Sequence, residues 1–182
     1  MRKFFYAFLS DPLTTGSIVE SSPFLVRKML KPIDFGKAEL IVELGSGTGV
    51  ITKKILKKMR PNASLLCFET NKELVKELKK NIKDSRLIVY SDSAEKFGRY
   101  LKRFGKSKAD YVISGLPLVV LPKKIGTAII EEIVKNLHPD GSYIQFQYSL
   151  TSLKLFKKIF REVKVDFTPA NIPPAFVYKC RI

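Results

Sequence analysis

The stretch Glu43-Leu44-Gly45-Ser46-Gly47-Thr48-Gly49 constrains this chain more than any other. It follows Leu40-Ile41-Val42-Glu43-Leu44, an apolar run that reads as a buried strand. It precedes Ile51 to Met59, where Ile51, Ile55, Leu56 and Met59 recur at helix spacing among lysines until Pro61 stops the pattern. Glycines at 45, 47 and 49 let the backbone turn tightly and meet a ligand with no Cβ between. In a doubly wound sheet such a loop lies at the carboxyl end of the first strand, where ligands bind. It lacks the closing lysine and Ser/Thr of a phosphate-binding loop and differs from the Gly-x-Gly-x-x-Gly of dinucleotide folds.

Downstream, short β-rich runs alternate with amphipathic stretches. Leu65-Leu66-Cys67-Phe68, Leu87-Ile88-Val89-Tyr90, Tyr111-Val112-Ile113 and Tyr143 to Tyr148 read as further strands. Helices are expected around Leu74, Val75 and Leu78, over Phe97 to Phe104, over Ala128 to Leu137 and over Leu153 to Phe160, with Pro139-Asp140-Gly141 as a turn. Val163 to Phe167 and Ala175 to Cys180 are joined by a proline-bearing loop too short for a crossover helix, so that pair is expected to be antiparallel. The expectation is an α/β, Rossmann-like, seven-stranded sheet, mostly parallel with one antiparallel strand and helices on both faces. Residues 39–182 form that domain. Residues 1–38, with an aromatic-rich face over Arg2 to Leu9 and a helical pattern over Val19 to Leu30 broken near Pro23, are expected to form a helical lid over the open sheet end and a candidate membrane-binding segment.

Acidic residues close three successive strands. Glu43 would repel a pyrophosphate but attracts an ammonium or sulfonium, directly or through water. Glu69, followed by Thr70, stands where a carboxylate accepts from two ribose hydroxyls. Asp92 can accept from the exocyclic amine of adenine while Ser93 or Ala94 offers a backbone N–H to a ring nitrogen. With Gly45, Ser46, Gly47 and Gly49, these residues match the polar parts of S-adenosylmethionine. Residues 39–146 accordingly resemble a class I methyltransferase. A nicotinamide-linked oxidoreductase is the alternative, opposed by Glu43 and by the loop spacing.

Charge narrows the partner without naming it. There are 33 Lys plus Arg against 17 Asp plus Glu, a formal net charge of +16. Such a field draws polyanions and anionic bilayers alike, and a lysine-rich genomic bias gives the same excess. Cys67, Cys180 and His138 have no zinc-ligand spacing, and no metal is expected. No apolar run reaches the roughly 20 residues that span a bilayer. The opening Met1 to Leu9 starts like a signal peptide, but Asp11 and Pro12 end it. A cytoplasmic protein, peripheral on the inner face of the cell membrane, is expected.

The acceptor side begins at the fourth strand end, Ser114-Gly115-Leu116-Pro117-Leu118. In class I methyltransferases this end faces the sulfonium methyl, so Ser114 is assigned to the cofactor as well as to the acceptor. Ribosomal RNA adenine dimethylases carry Asn-Leu-Pro-Tyr or a close variant here. This chain keeps Leu116 and Pro117 but lacks the amide and the stacking aromatic that a flipped base needs. Together with Phe8-Leu9, Gly16-Ser17-Ile18, Ser21-Ser22-Pro23, Gln145-Phe146-Gln147-Tyr148 and Asn171-Ile172-Pro173-Pro174-Ala175, the pattern resembles bacterial phospholipid N-methyltransferases, which methylate phosphatidylethanolamine. The resemblance implies an N-terminal helix on anionic membranes, a role that Arg2, Lys3, Phe4, Phe5, Phe8 and Leu9 match. It also implies a phospholipid substrate, with RNA adenine as the alternative acceptor.

Methyl transfer from a sulfonium is an in-line displacement, so alignment and exclusion of water dominate. The amine must be neutral. The Ser114 carbonyl, Gln145 and Tyr148 are candidates to orient it. Tyr6, Leu116, Pro117, Tyr148 and Asn171 are the expected substrate contacts, the tyrosines holding the phosphate or enclosing the cationic amine.

Overall fold

A computed structural model of the protein describes residues 22–182. Helix α1 spans Pro23–Leu30: Ser22 caps it by accepting from the Leu25 amide, and Pro23 sits in the first turn, where its missing N–H costs nothing. The chain then alternates through β1 (Leu40–Leu44), α2 (Val50–Leu56), β2 (Ser64–Phe68), α3 (Lys72–Asn81), β3 (Leu87–Tyr90), a short 3₁₀ turn (Ala94–Lys96), α4 (Phe97–Arg103), β4 (Ala109–Ser114), α5 (Lys123–Asn136), β5 (Leu137–Gln147), α6 (Leu153–Ile159), β6 (Glu162–Thr168) and β7 (Ala175–Arg181).

The strands form one seven-stranded sheet in the order β3-β2-β1-β4-β5-β7-β6, as expected. β1 pairs in parallel with β2 and β4, whereas β7 runs antiparallel to both β5 and β6. Alternation along the strands divides the core. Ile41, Leu65, Cys67, Val89, Ile113 and Ile144 face α1, α2 and α3, while Leu40, Val42, Leu44, Leu66, Val112 and Tyr143 face α4, α5 and α6. Each face is covered by helices, which is why β1 is buried at every position.

Two elements depart from the sequence pattern. α5 begins five residues before Ala128: Lys123, Lys124 and Gly126 dilute the apolar stripe there, and Ile125 alone announces it. The Pro139-Asp140-Gly141 turn lies inside β5, because pairing with β4 jumps from Ala109↔Leu137 to Tyr111↔Ser142 and pushes His138, Pro139 and Asp140 into solvent. α1 buries Leu25, Val26, Met29 and Leu30 against the sheet face beside β5, β6 and β7. Residues 1–21, on which most of the expected lid and membrane segment falls, lie outside the described residues.

Candidate functional site

Strand order brings the distant motifs to one edge of the sheet. Reading across it, Asp92 follows β3, Glu69 follows β2, the glycine loop follows β1, Ser114 ends β4 and Tyr148 follows β5. The order reverses at β1, which opens a crevice between the loops after β1 and β4.

Gly45, Gly47 and Gly49 all hold positive φ, at 75°, 52° and 83°. At Gly45 an added Cβ would lie 2.7 Å from Leu116 Cδ2, and at Gly49 it would overlap Leu78 Cδ1, so these two are packing glycines. Gly47 differs, with open space within 4 Å of where its Cβ would be. Its amide donates to Glu69 Oε2 at 3.0 Å, and the Asn71 amide donates to Glu69 Oε1 at 2.9 Å. Glu69 is thus held against the loop with lone pairs to spare for a diol. Thr70 beside it is exposed.

Glu43 sits on the α2 side of the sheet, 1% exposed. Thr52 Oγ1 donates to its Oε2 at 2.7 Å and Cys67 Sγ donates to the same oxygen at 3.2 Å. Among the described residues Oε1 has no hydrogen-bond partner, and neither has the buried Ser46 hydroxyl. Burial pushes the Glu43 carboxyl up to about 7, against the pull of the two donors. An orphaned acidic oxygen and an open glycine cradle fit a ligand that carries positive charge and needs close backbone approach.

Asp92 is more fully committed. Lys96 Nζ and the Ser93 amide donate to Oδ1 at 2.8 and 2.7 Å, and the Tyr100 hydroxyl donates to Oδ2 at 2.6 Å. The Lys96 hydrogen bond first, then Tyr100 and the Ser93 amide, hold Asp92 well below the usual carboxylate range. The Ser93 hydroxyl is spent on Glu95.

Past β4, the polar groups form a closed knot. Gln145 is buried. Its Nε2 donates to the carbonyls of Leu116 at 2.8 Å and Phe146 at 2.7 Å, and its Oε1 accepts from the Tyr143 hydroxyl at 2.6 Å. Tyr143 also hydrogen-bonds Ser114, whose Oγ accepts from the Leu116 amide at 3.2 Å. Gly115 fits beneath, where a Cβ would stand 3.1 Å from the Gly45 carbonyl. The side-chain amide of Gln145 is therefore occupied in shaping the loop of Leu116 and Pro117. Tyr148 hydrogen-bonds Asn171, and burial raises its phenol above the ordinary value. Asn171 is 1% exposed; it accepts from the Ser22 amide at 3.1 Å and donates to the Pro173 carbonyl at 2.7 Å. It clamps α1 to the β6–β7 loop and holds Tyr148 at the rim. Tyr6 lies outside the described residues.

Thr52, Tyr143, Tyr100 and Lys96 are not singled out by sequence reasoning, nor is the tie of Cys67 to Glu43. Cys67 pairs with Glu43 in the β1–β2 register, a neighbour that only strand pairing reveals. Among the described residues no group of three or more His, Cys, Asp or Glu can hold a metal ion, and no helix is long and apolar enough to cross a membrane.

The model of the family "Ribosomal RNA adenine dimethylase" matches residues 2–159. The chain belongs to that family. It is an S-adenosylmethionine-dependent methyltransferase. It is also 30% identical over 185 residues to the ornithine lipid N-methyltransferase of Singulisphaera acidiphila, covering 98% of this chain and 96% of that protein. Its fold matches the precorrin-6y C5,15-methyltransferase of Geobacter metallireducens, with TM-score 0.70, 14% identity and 91% of each chain covered. A SAM-dependent O-methyltransferase of Thermotoga maritima gives TM-score 0.71 at 12% identity, over 96% of this chain and 71% of that one. These last two likenesses establish the fold alone. When bound, the cofactor of this methyltransferase supplies a methyl group on a positively charged sulfur to a nucleophile. Glu43, the glycine loop and Glu69 are the residues that would hold it.

Proposed function

We propose that this methyltransferase acts on the primary amine of a lipid head group at the membrane surface, with phosphatidylethanolamine as the first candidate and an ornithine lipid as the second. The loop after β4 carries this reading. It offers Leu116, Pro117 and Leu118 around a serine whose hydroxyl is turned inward, and neither an amide nor an aromatic ring with which to grip and stack a base. The full-length similarity to a lipid N-methyltransferase supports it. The proposed acceptor site comprises Leu116, Pro117, Tyr148 and the Ser114 carbonyl, with Asn171 beside it; Tyr6 is kept as a further substrate contact on the sequence reading alone.

The chemistry asked of these residues is modest. The attacking nitrogen must shed its proton, and an apolar cleft disfavours the ammonium form. The Ser114 carbonyl can accept from the neutral amine and aim its lone pair. Tyr148, kept as a phenol by burial, orients the amine without acting as a base, and the released proton leaves to water.

One observation favours a second reading, N-methylation of an RNA adenine: the matched family is named for that reaction. Purified enzyme with labelled cofactor, offered phosphatidylethanolamine vesicles, ornithine-lipid vesicles and ribosomal RNA in separate reactions, decides between them. Label is expected in lipid. Label in RNA with none in either lipid overturns the proposal.

A further inference from the structure

A second concave surface lies away from the glycine loop. It is a groove of about 640 Å³ between α1, the segment after it and the end of β6. Its floor is apolar, with Ile33 buried, Phe35 half-buried and Phe24 53% exposed. Among the described residues its charged lining is of one sign: Arg27, Lys28, Lys31 and Lys58, with no acidic residue. Among the described residues none of these four is in an ion pair. Arg27 stands 5.8 Å over the Phe24 ring and Lys58 5.8 Å over the Phe35 ring, so cations and rings share one surface. Phe167 and Ile172 flank the same end of the sheet, 49% and 81% exposed. A smaller apolar groove beside α5 and α6 includes Glu131 and so lacks this one-sided charge.

We propose that this groove and its flanking hydrophobes are a docking face for an anionic phospholipid bilayer. Rings that insert among acyl chains and cations that stay at phosphate level are what such a surface requires. A nucleic acid would use the cations but leave Ile172 and Phe24 in water without gain. Asn171 joins this face to the reaction edge, since its amide ties Ser22 at the start of α1 to the loop that carries Ile172 and it hydrogen-bonds Tyr148. Docking here would present a lipid amine to the rim of the cleft. The inference rests on the lipid-amine reading for its choice of membrane over RNA, but it concerns residues separate from the cofactor site and from residues 1–9.

Flotation of the full chain with phosphatidylglycerol-containing and with pure phosphatidylcholine vesicles tests it. Wild type is expected to float with the anionic vesicles only. Each cation near such a surface changes affinity about fivefold, so Arg27→Gln/Lys31→Gln/Lys58→Gln should lower binding at least tenfold. Phe24→Ser/Ile172→Ser should do the same, and Ile159→Ser in the other groove should not. Cofactor affinity, unchanged in all variants, reports that the fold is intact. Wild-type flotation by the triple variant and the double variant overturns the docking face. So does a loss of RNA retention on a filter with flotation unaltered. Lipid methylation by the wild type is scored separately: its absence defeats the lipid-amine reading whether or not the protein floats.

Discussion

The two sides of the crevice handle their polar groups in opposite ways. On the β1–β2 side, among the described residues, Glu43 keeps one oxygen unpartnered and Glu69 has acceptor capacity left over. On the β4–β5 side, Gln145 and Asn171 are consumed by protein partners and Ser114 is tied into the same network. One wall is built to meet charge. The other is built to hold a shape, which suits the lipid amine proposed as acceptor.

The largest expected effect tests the first wall through pH. The Glu43 carboxyl is raised from 4.5 to about 7 in the folded protein, so between those values the folded state keeps a proton that the unfolded chain releases. Raising the pH through this window therefore favours unfolding, by roughly 3 kcal/mol in all at 1.36 kcal/mol per unit. Cofactor affinity runs the other way, because a cationic ligand prefers the ionised form: it should rise through pH 7. Denaturant melts and titration calorimetry across pH 5–8 measure both slopes, and Glu43→Gln should flatten both. Parallel slopes would break the assignment.

Next in size, Gly47→Val places a branched side chain in the open cradle at a φ of 52°. Cofactor affinity should fall about a hundredfold, or about 2.7 kcal/mol. Glu69→Ala should fall at least tenfold in the same calorimetry, and unchanged binding in both variants would defeat the cofactor site. Smallest, and on the opposite wall, is Gln145→Leu. It takes one donor from the Leu116 and Phe146 carbonyls and leaves the Tyr143 hydroxyl without its acceptor, at a cost of about 1–3 kcal/mol in stability, and should lower kcat while leaving cofactor affinity near wild type. A matching loss of cofactor affinity would show that the walls are not separable.

The donor wall was the more legible of the two. Local pattern determines β1 and β3, whose ends coincide with their apolar runs, and the glycines announce their own conformation. The acids at three strand ends required only the strand count. What pattern cannot supply is pairing. That Thr52 and Cys67 share one oxygen of Glu43, that Tyr100 and Lys96 claim Asp92, and that Gln145 reaches back to Leu116 all depend on register and on helix placement. Asn171 shows the same limit most sharply: its partner Ser22 is 149 residues away. The start of α5 was missed because its first turn is polar, and the bulge in β5 because proline and glycine there read as an end rather than an interruption.

β7 enters the sheet between β5 and β6, with Tyr178 and Cys180 fully buried. On a ribosome the neighbouring edge, β6, emerges first yet has its strand partner in the segment made after it. Until residues 175–181 emerge, that margin stays an unpaired ribbon, Ala175 and Val177 are missing from one core, and Tyr178 and Cys180 from the other. Closure of the fold thereby waits on residues 175–181, and a nascent chain released before them would expose both apolar layers together.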